Sequence, residues 1–230
     1  MLKFLNESTF FGLFISIGAY FAGWLLNKKF KKDFVNPLII AVILVIAFVL
    51  ISGMDFEAYE KQASFLNYLL TPATICLAIP LYKQLGILKK NLAAVSVAVV
   101  AGSVAAMLSI LLVSLAFGVT HEIYVSLLPK SITTAIGMGV SEELGGVQEI
   151  TVAVIVVTGV IGAMIGKPLC KLFKISNPVA VGLAFGVSAH AVGTSKALEI
   201  GEIEGAMSGL AIVVTGILTV ALSPLFALFY

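Results

Sequence analysis

The chain has 230 residues, 60% of them apolar and only 11% charged, with a formal net charge of +2 and a mean hydropathy of +1.12. A soluble domain is about half apolar and a quarter charged, so a water-soluble globule is excluded. Apolar runs of roughly 15 to 25 residues follow one another with short gaps, the pattern of a polytopic α-helical membrane protein. They also exclude an outer-membrane barrel, whose strands alternate in segments of about ten residues.

Seven spans are expected in chain order, at 8–26, 37–51, 66–82, 92–117, 150–166, 178–195 and 205–229. The first apolar stretch is followed by lysines and not by a small-residue cleavage site, so it reads as a retained first helix, 8–36 with its basic loop. The fourteen basic residues are all lysine, which leaves the ammonium group as the only strong cationic anchor. Ten of them fall in "NKKFKKD" (27–33), "YKQLGILKKN" (82–91) and "KPLCKLFK" (167–174). The intervening loops are acidic: Asp55, Glu57 and Glu60, then Glu122, Glu142 and Glu143, then Glu199, Glu202 and Glu204. That alternation sets the N-terminus outside and the C-terminus inside. Cys76 lies in an apolar segment and Cys170 in a lysine-rich loop, so free thiols are expected.

Sliding residues 37–117 by 113 positions lays them without a gap on 150–230. The acidic loop near 52–61 falls on the basic loop near 165–174, and basic 83–91 falls on acidic 196–204. Swapped loop signs over three spans in the same order are the signature of an inverted-topology repeat. The middle span of each half is interrupted: "LLTPATICLAIPLY" carries Pro72, Thr74 and Pro80, and "GLAFGVSAHAVGTS" carries Gly182, Gly186 and Gly193 around His190. Broken segments at matched positions point to a transporter's binding site, whereas kinked packing of membrane helices is the plainer reading.

Residues 118–149 belong to neither half. Their stretch "SLLPKSITTAIGMGV" (126–140) is too polar for lipid and too apolar for a solvated loop, so a re-entrant helix is expected, dipping toward the midplane and returning. With Pro129 at its first position, such a helix puts Lys130, Thr134, Gly137 and Ser141 on one face. An ammonium beside a helix N-terminus makes an anion cradle, and a lysine within the membrane is costly enough to be usually functional. Snorkelling of Lys130 to the headgroups is the competing reading. His190 reads either as a neutral hydrogen-bonding spacer or as a proton relay. Thr194, Ser195 and Lys196 close the second broken segment, with Lys196 either in the site or paired with Glu199. "VAGSVAAMLS" (100–109) sets Gly102 and Ala106 four apart, a stripe suited to helix association. The sequence has neither metal-ligand spacing nor a nucleotide-binding motif, so no cofactor, metal, nucleic acid or enzymatic activity is expected.

"LLPKSITTAIGMGVSEELGG", "VGLAFGVSAHAVGTSKALEIGEIEGAMSGLAIVVTGILTVALSPL" and, upstream, "LLTPATICLAIPLY" resemble the CidB/LrgB membrane protein family over essentially the whole chain. The resemblance implies a multi-pass bacterial membrane protein paired with a small CidA/LrgA-type membrane subunit. It also implies holin-like or antiholin-like control of murein hydrolase activity and lysis, or transport of small acids such as pyruvate and glycolate. Lys130, Ser131, Thr133, Thr134, His190, Gly193 and Thr194 match the family's motifs. Ala135 stands where the family commonly has Pro, and Val181 and Lys196 where it often has Arg. Ser141 and Ser195 complete the expected substrate-binding set. The favoured expectation is a secondary transporter of small monocarboxylates working by alternating access, as a homo-oligomer in lipid. The alternative is a lysis regulator with no substrate of its own.

Overall fold

The computed structural model describes residues 2–30, 36–69, 72, 75, 76, 79 and 82–230. All regular structure among them is helical, and the chain divides into two units, Met1–Cys76 and Leu77–Tyr230. In the first unit α1 (Leu2–Glu7), α2 (Phe11–Phe30), α3 (Pro37–Ser52) and α4 (Phe56–Ala63) are followed by a 3₁₀ turn, Ser64–Leu69. Asn36 caps α3 by accepting from the Leu38 amide at 2.8 Å, with Pro37 at the first helical position, where its missing donor costs nothing. Gln62 fastens this unit internally. Its Oε1 accepts from the Gly12 amide (2.8 Å), and its Nε2 donates to the Leu5 carbonyl (2.8 Å).

In the second unit come α5 (Leu85–Lys90), α6 (Leu92–Phe117), α7 (His121–Leu127), α8 (Thr134–Glu143), α9 (Gln148–Leu172), α10 (Pro178–Ile200) and α11 (Glu202–Ala227). Helix α6 buries one stripe, Val95, Val99, Ser103, Met107, Ile110 and Ser114, at the three- and four-residue spacing of a helical face. It runs parallel to α11: Val95 and Val99 cluster with Ala206, Met207 and Ala211, while Met107 and Ile110 cluster with Leu222 and Phe226.

Helix α10 is broken at its centre. His190 has φ 41° and ψ −133°, a conformation side-chain-bearing residues rarely adopt. In a continuous helix Gly193 would stand about 12 Å beyond Phe185 along the axis. A Cβ on Gly193 would instead lie 2.5 Å from the Phe185 carbonyl oxygen and 2.6 Å from Ala189 Cβ. The chain therefore doubles back, and α10 is a hairpin of two limbs, 178–189 and 191–200. The first limb lies antiparallel to α9, with Gly162 against Ala189 and Gly166 against Phe185, and parallel to α11, with Gly182 against Glu204 and Gly186 against Ser208. The second limb returns to where the first began, so Ala197 joins a cluster with Cys170, Val181 and Phe185.

Residues 121–146 form a second hairpin, of opposite sense. The Ser126 hydroxyl accepts from the Val147 amide (2.7 Å), and a Cβ on Gly137 would meet Pro129, Thr151 and Ile155. The chain thus enters beside the start of α9, turns through 128–133 and returns. Its tip and the His190 tip approach α9 at a common level, near Ile155 to Gly159, roughly 10–16 Å into a helix of about 37 Å.

Several sequence expectations are corrected here. Among the described residues four helices, α6, α9, α10 and α11, have the length and composition to cross a membrane, not seven. Helix α3 has 16 residues, α2 has Lys28 and Lys29 in its last turn, and eight of the seventeen residues of 66–82 lie outside the described residues, Thr74 and Pro80 included. The hairpin in α10 makes even that span a dip. The C-terminus does not lie across the bundle from the 118–149 segment: the Tyr230 hydroxyl donates to the Val119 and Ser114 carbonyls, and its ring packs 4.7 Å from that of Tyr124. By reversing at His190, the chain brings Glu199, Glu202 and Glu204 back to the end that holds Lys167, Lys171 and Lys174. Loop signs therefore do not alternate there. The expected helix from Pro129 starts only at Thr134, because Thr133 takes the extended N-cap conformation, φ −69° and ψ 147°. Lys130 consequently sits in the preceding turn, where its amide bonds the Leu127 carbonyl (3.1 Å).

Candidate functional site: a small-residue groove ending at Lys130

A groove of about 810 Å³ runs between α6 and the first limb of α10. One end lies at Asn91 and Asn177, where these helices begin, and its inner end lies at Lys130 and Ser131. Small side chains form much of its walls, Ala94, Ala98, Gly102 and Ala105 on α6 and Ala180, Ala184 and Ser188 on α10, with Val179, Leu183 and Val187 between the latter. Close helix approach follows from that choice, since a Cβ on Gly102 would fall 2.6 Å from Val187 Cγ1. Among the described residues Lys130 is the single charged one in this lining, and no carboxylate is among them. It is half-buried, and its Nζ donates to Ser131 Oγ at 3.1 Å. An ammonium has three donors, so two remain for an anion.

Of the nine expected substrate-binding residues, these two line the groove. Thr133 and Thr134, at the start of α8, are half-buried beside that turn. Ser141 is fully buried and lies 2.8 Å from Thr151 Oγ1, which donates to the Ser126 carbonyl (2.9 Å). These hydroxyls join α7, α8 and α9. His190 is buried, and its Nε2 lies 2.9 Å from the Ile155 carbonyl oxygen. A carbonyl only accepts, so Nε2 carries the proton. Thr194 Oγ1 donates to the His190 carbonyl (3.0 Å) and lies 2.7 Å from Ser208 Oγ. Ser195 is exposed and back-bonds to Ala191, and Lys196 forms an ion pair with Glu199 at 2.9 Å. Gly186 and Gly193 serve packing within and beside the hairpin, and Pro72 is exposed.

Sequence reasoning did not assign Asn91, Asn177, Ser188 or the alanines to this site. Their signal was the small-residue stripe through Gly102 and Ala106, which continues one and two turns upstream to Ala98 and Ala94. Cys76 is exposed and Cys170 buried, both as free thiols.

The sequence profile of the LrgB-like family matches residues 16–229. The chain belongs to the LrgB-like family. It is 37% identical over 220 residues to the antiholin-like protein LrgB of Bacillus subtilis, covering 95% of each chain. Proteins of the same name from Bacillus cereus and Bacillus anthracis are 38% identical over 218 residues, covering 94% of this chain and 95% of theirs. No solved structure matches it. Membership in this family and four apolar helices of spanning length agree on a multi-pass membrane protein.

Proposed function

We propose that this protein is an antiholin-like regulator in a bacterial cytoplasmic membrane, restraining murein hydrolase activity and lysis with a small CidA/LrgA-type membrane subunit. The observation that carries this reading is kinship over nearly the full length of both chains with proteins named antiholin-like. In this reading the end that carries the lysines of α5 and α9 is taken as cytoplasmic, with Val119 and Tyr230 at the outer face. The test is complementation in a host lacking its own LrgB-type gene, with murein hydrolase activity and lysis rate as readouts. Expression that leaves both unchanged, with and without the small subunit, overturns this reading.

A second reading is favoured by the groove: carriage of a small monocarboxylate such as pyruvate or glycolate. A three-carbon anion needs one cation and a few hydroxyl donors, which Lys130 and Ser131 supply at mid-bundle. Two hairpins dipping from opposite ends, 121–146 and 178–200, support alternating access, but not between inverted halves 37–117 and 150–230, because α6 and α11, which the 113-residue shift pairs, run parallel. Uptake of labelled acid into proteoliposomes tests it, comparing wild type with Lys130→Ala, with and without the small subunit. No uptake in any combination leaves the regulator reading alone.

A further inference from the structure

The groove ends where two hairpin tips meet, and one tip is built unlike the other. The 128–133 turn is secured by backbone bonds, with the Lys130 amide on Leu127 and the Ile132 amide on Pro129. At the His190 tip side chains take part. Its backbone is held at φ 41°, in a region that persists in side-chain-bearing residues only when the surroundings enforce it. One contact holding it is the imidazole, whose Nε2 donates to the Ile155 carbonyl across the helix pair at 2.9 Å; a second is Thr194 Oγ1, which donates to the His190 carbonyl at 3.0 Å. Gly159 makes the imidazole contact possible, because a Cβ there would stand 2.5 Å from Cε1 and 2.6 Å from Nε2 of the ring. Directly before the reversal, Val187 and Ser188 form the groove wall that shares its inner end with Lys130 and Ser131.

We propose that His190 is a latch: seated in the Gly159 notch, it holds the strained tip of the 178–200 hairpin against α9 and so keeps the groove closed at its inner end. Releasing the imidazole lets the tip relax and move away from the Lys130 turn, joining the groove to the opposite end of the bundle. The limbs are unequal partners in this movement. The first is wedged against α9 and α11 through Gly162, Gly166, Gly182 and Gly186, whereas the second presents Ala191, Ser195, Leu198 and Glu199 outward. Bending is therefore confined to the tip and the second limb. His190 is a positioning residue in this scheme, touching no groove occupant. The inference rests on the carrier reading only for the movement's purpose.

The experiment uses the full chain with Cys76→Ser, Cys170→Ala and Ser188→Cys, in spheroplasts and in inverted vesicles. The readout is the rate of labelling by a membrane-impermeant maleimide. With the latch intact, position 188 should react at least ~10-fold faster from the face carrying Asn91 and Asn177 than from the face carrying Val119. His190→Ala and Gly159→Ala should each bring the two rates within ~3-fold, and His190→Gln, which keeps a donor, should restore much of the asymmetry. Rates that stay unequal in both release variants overturn the latch. A measurement on the unsubstituted protein stands beside it in case a variant fails to fold. Backbone amides of the buried residues 187, 189, 190, 193 and 194 should exchange hydrogen for deuterium at least ~10-fold faster than those of the buried residues 205–208 and 211. Equal protection overturns the hinge. Latch-dependent labelling in a protein that takes up no acid would refute the carrier reading and leave the latch standing.

Discussion

Gly186→Ala tests the doubled-back hairpin through its seat on α11. The added methyl would lie 2.4 Å from the Ser208 carbonyl oxygen, 2.7 Å from Ala211 Cβ and 2.9 Å from Ser208 Cα. Two of those three atoms are backbone, so no side-chain rotation relieves the overlap and the helices must part. Overpacking of a tight interface costs about 1–3 kcal/mol. The gain from replacing a helical glycine by alanine is roughly 0.5–1 kcal/mol, so a net loss of up to about 2.5 kcal/mol is expected. Gly18→Ala is the internal control: nothing lies within 4 Å of a Cβ at that exposed position of α2, and it should gain the full propensity difference. At roughly 2–4 °C per kcal/mol for a chain of this size, Gly186→Ala should lower the midpoint of thermal unfolding by a few degrees. Gly18→Ala should hold or raise it. The assay is loss of the monodisperse peak in detergent after heating. A Gly186→Ala protein as heat-resistant as Gly18→Ala would refute the close seating of the first limb and the hairpin packing derived from it.

Single cysteines replacing Ile175 and Glu202 should label from one face of the membrane, and cysteines replacing Glu122 and Leu228 from the other; labelling of 175 and 202 from opposite faces would restore a full crossing by 178–200. Gln62→Leu removes both the acceptor for the Gly12 amide and the donor to the Leu5 carbonyl, and buried groups left unpaired cost about 1–3 kcal/mol each. Its midpoint should fall by several degrees, and an unchanged one would show that water or other groups satisfy those atoms. Lys130→Ala, which among the described residues removes one side-chain bond, to Ser131, should change thermal stability by less than ~1 kcal/mol and act on function alone. Thr151→Val, which removes the hydroxyl linking Ser126 and Ser141, should do the reverse by unfastening α7 and α8 from α9.

The bilayer environment, the helical class and the broken character of 178–195 were legible in the sequence, because each depends on composition or on residues close along the chain. Runs of apolar residues force helices wherever water cannot satisfy the backbone, and "GVSAHAVG" concentrates small residues around one histidine. The prominence of Lys130 was legible too, since a lone ammonium amid apolar neighbours stands out in any arrangement. What the break does was not legible. The same glycine spacing serves a kink, a crossing or a full reversal, and only the backbone of His190 and the seating of Gly193 against Phe185 and Ala189 show a reversal. Loop charge could not reveal this either, since counting lysines presumes that every apolar run crosses. Ser141 and Thr194 looked like site residues because a hydroxyl in sequence has no direction. Tertiary packing turned them toward Thr151 and Ser208 and left the groove wall to alanines, whose role depends on two helices lying parallel and close.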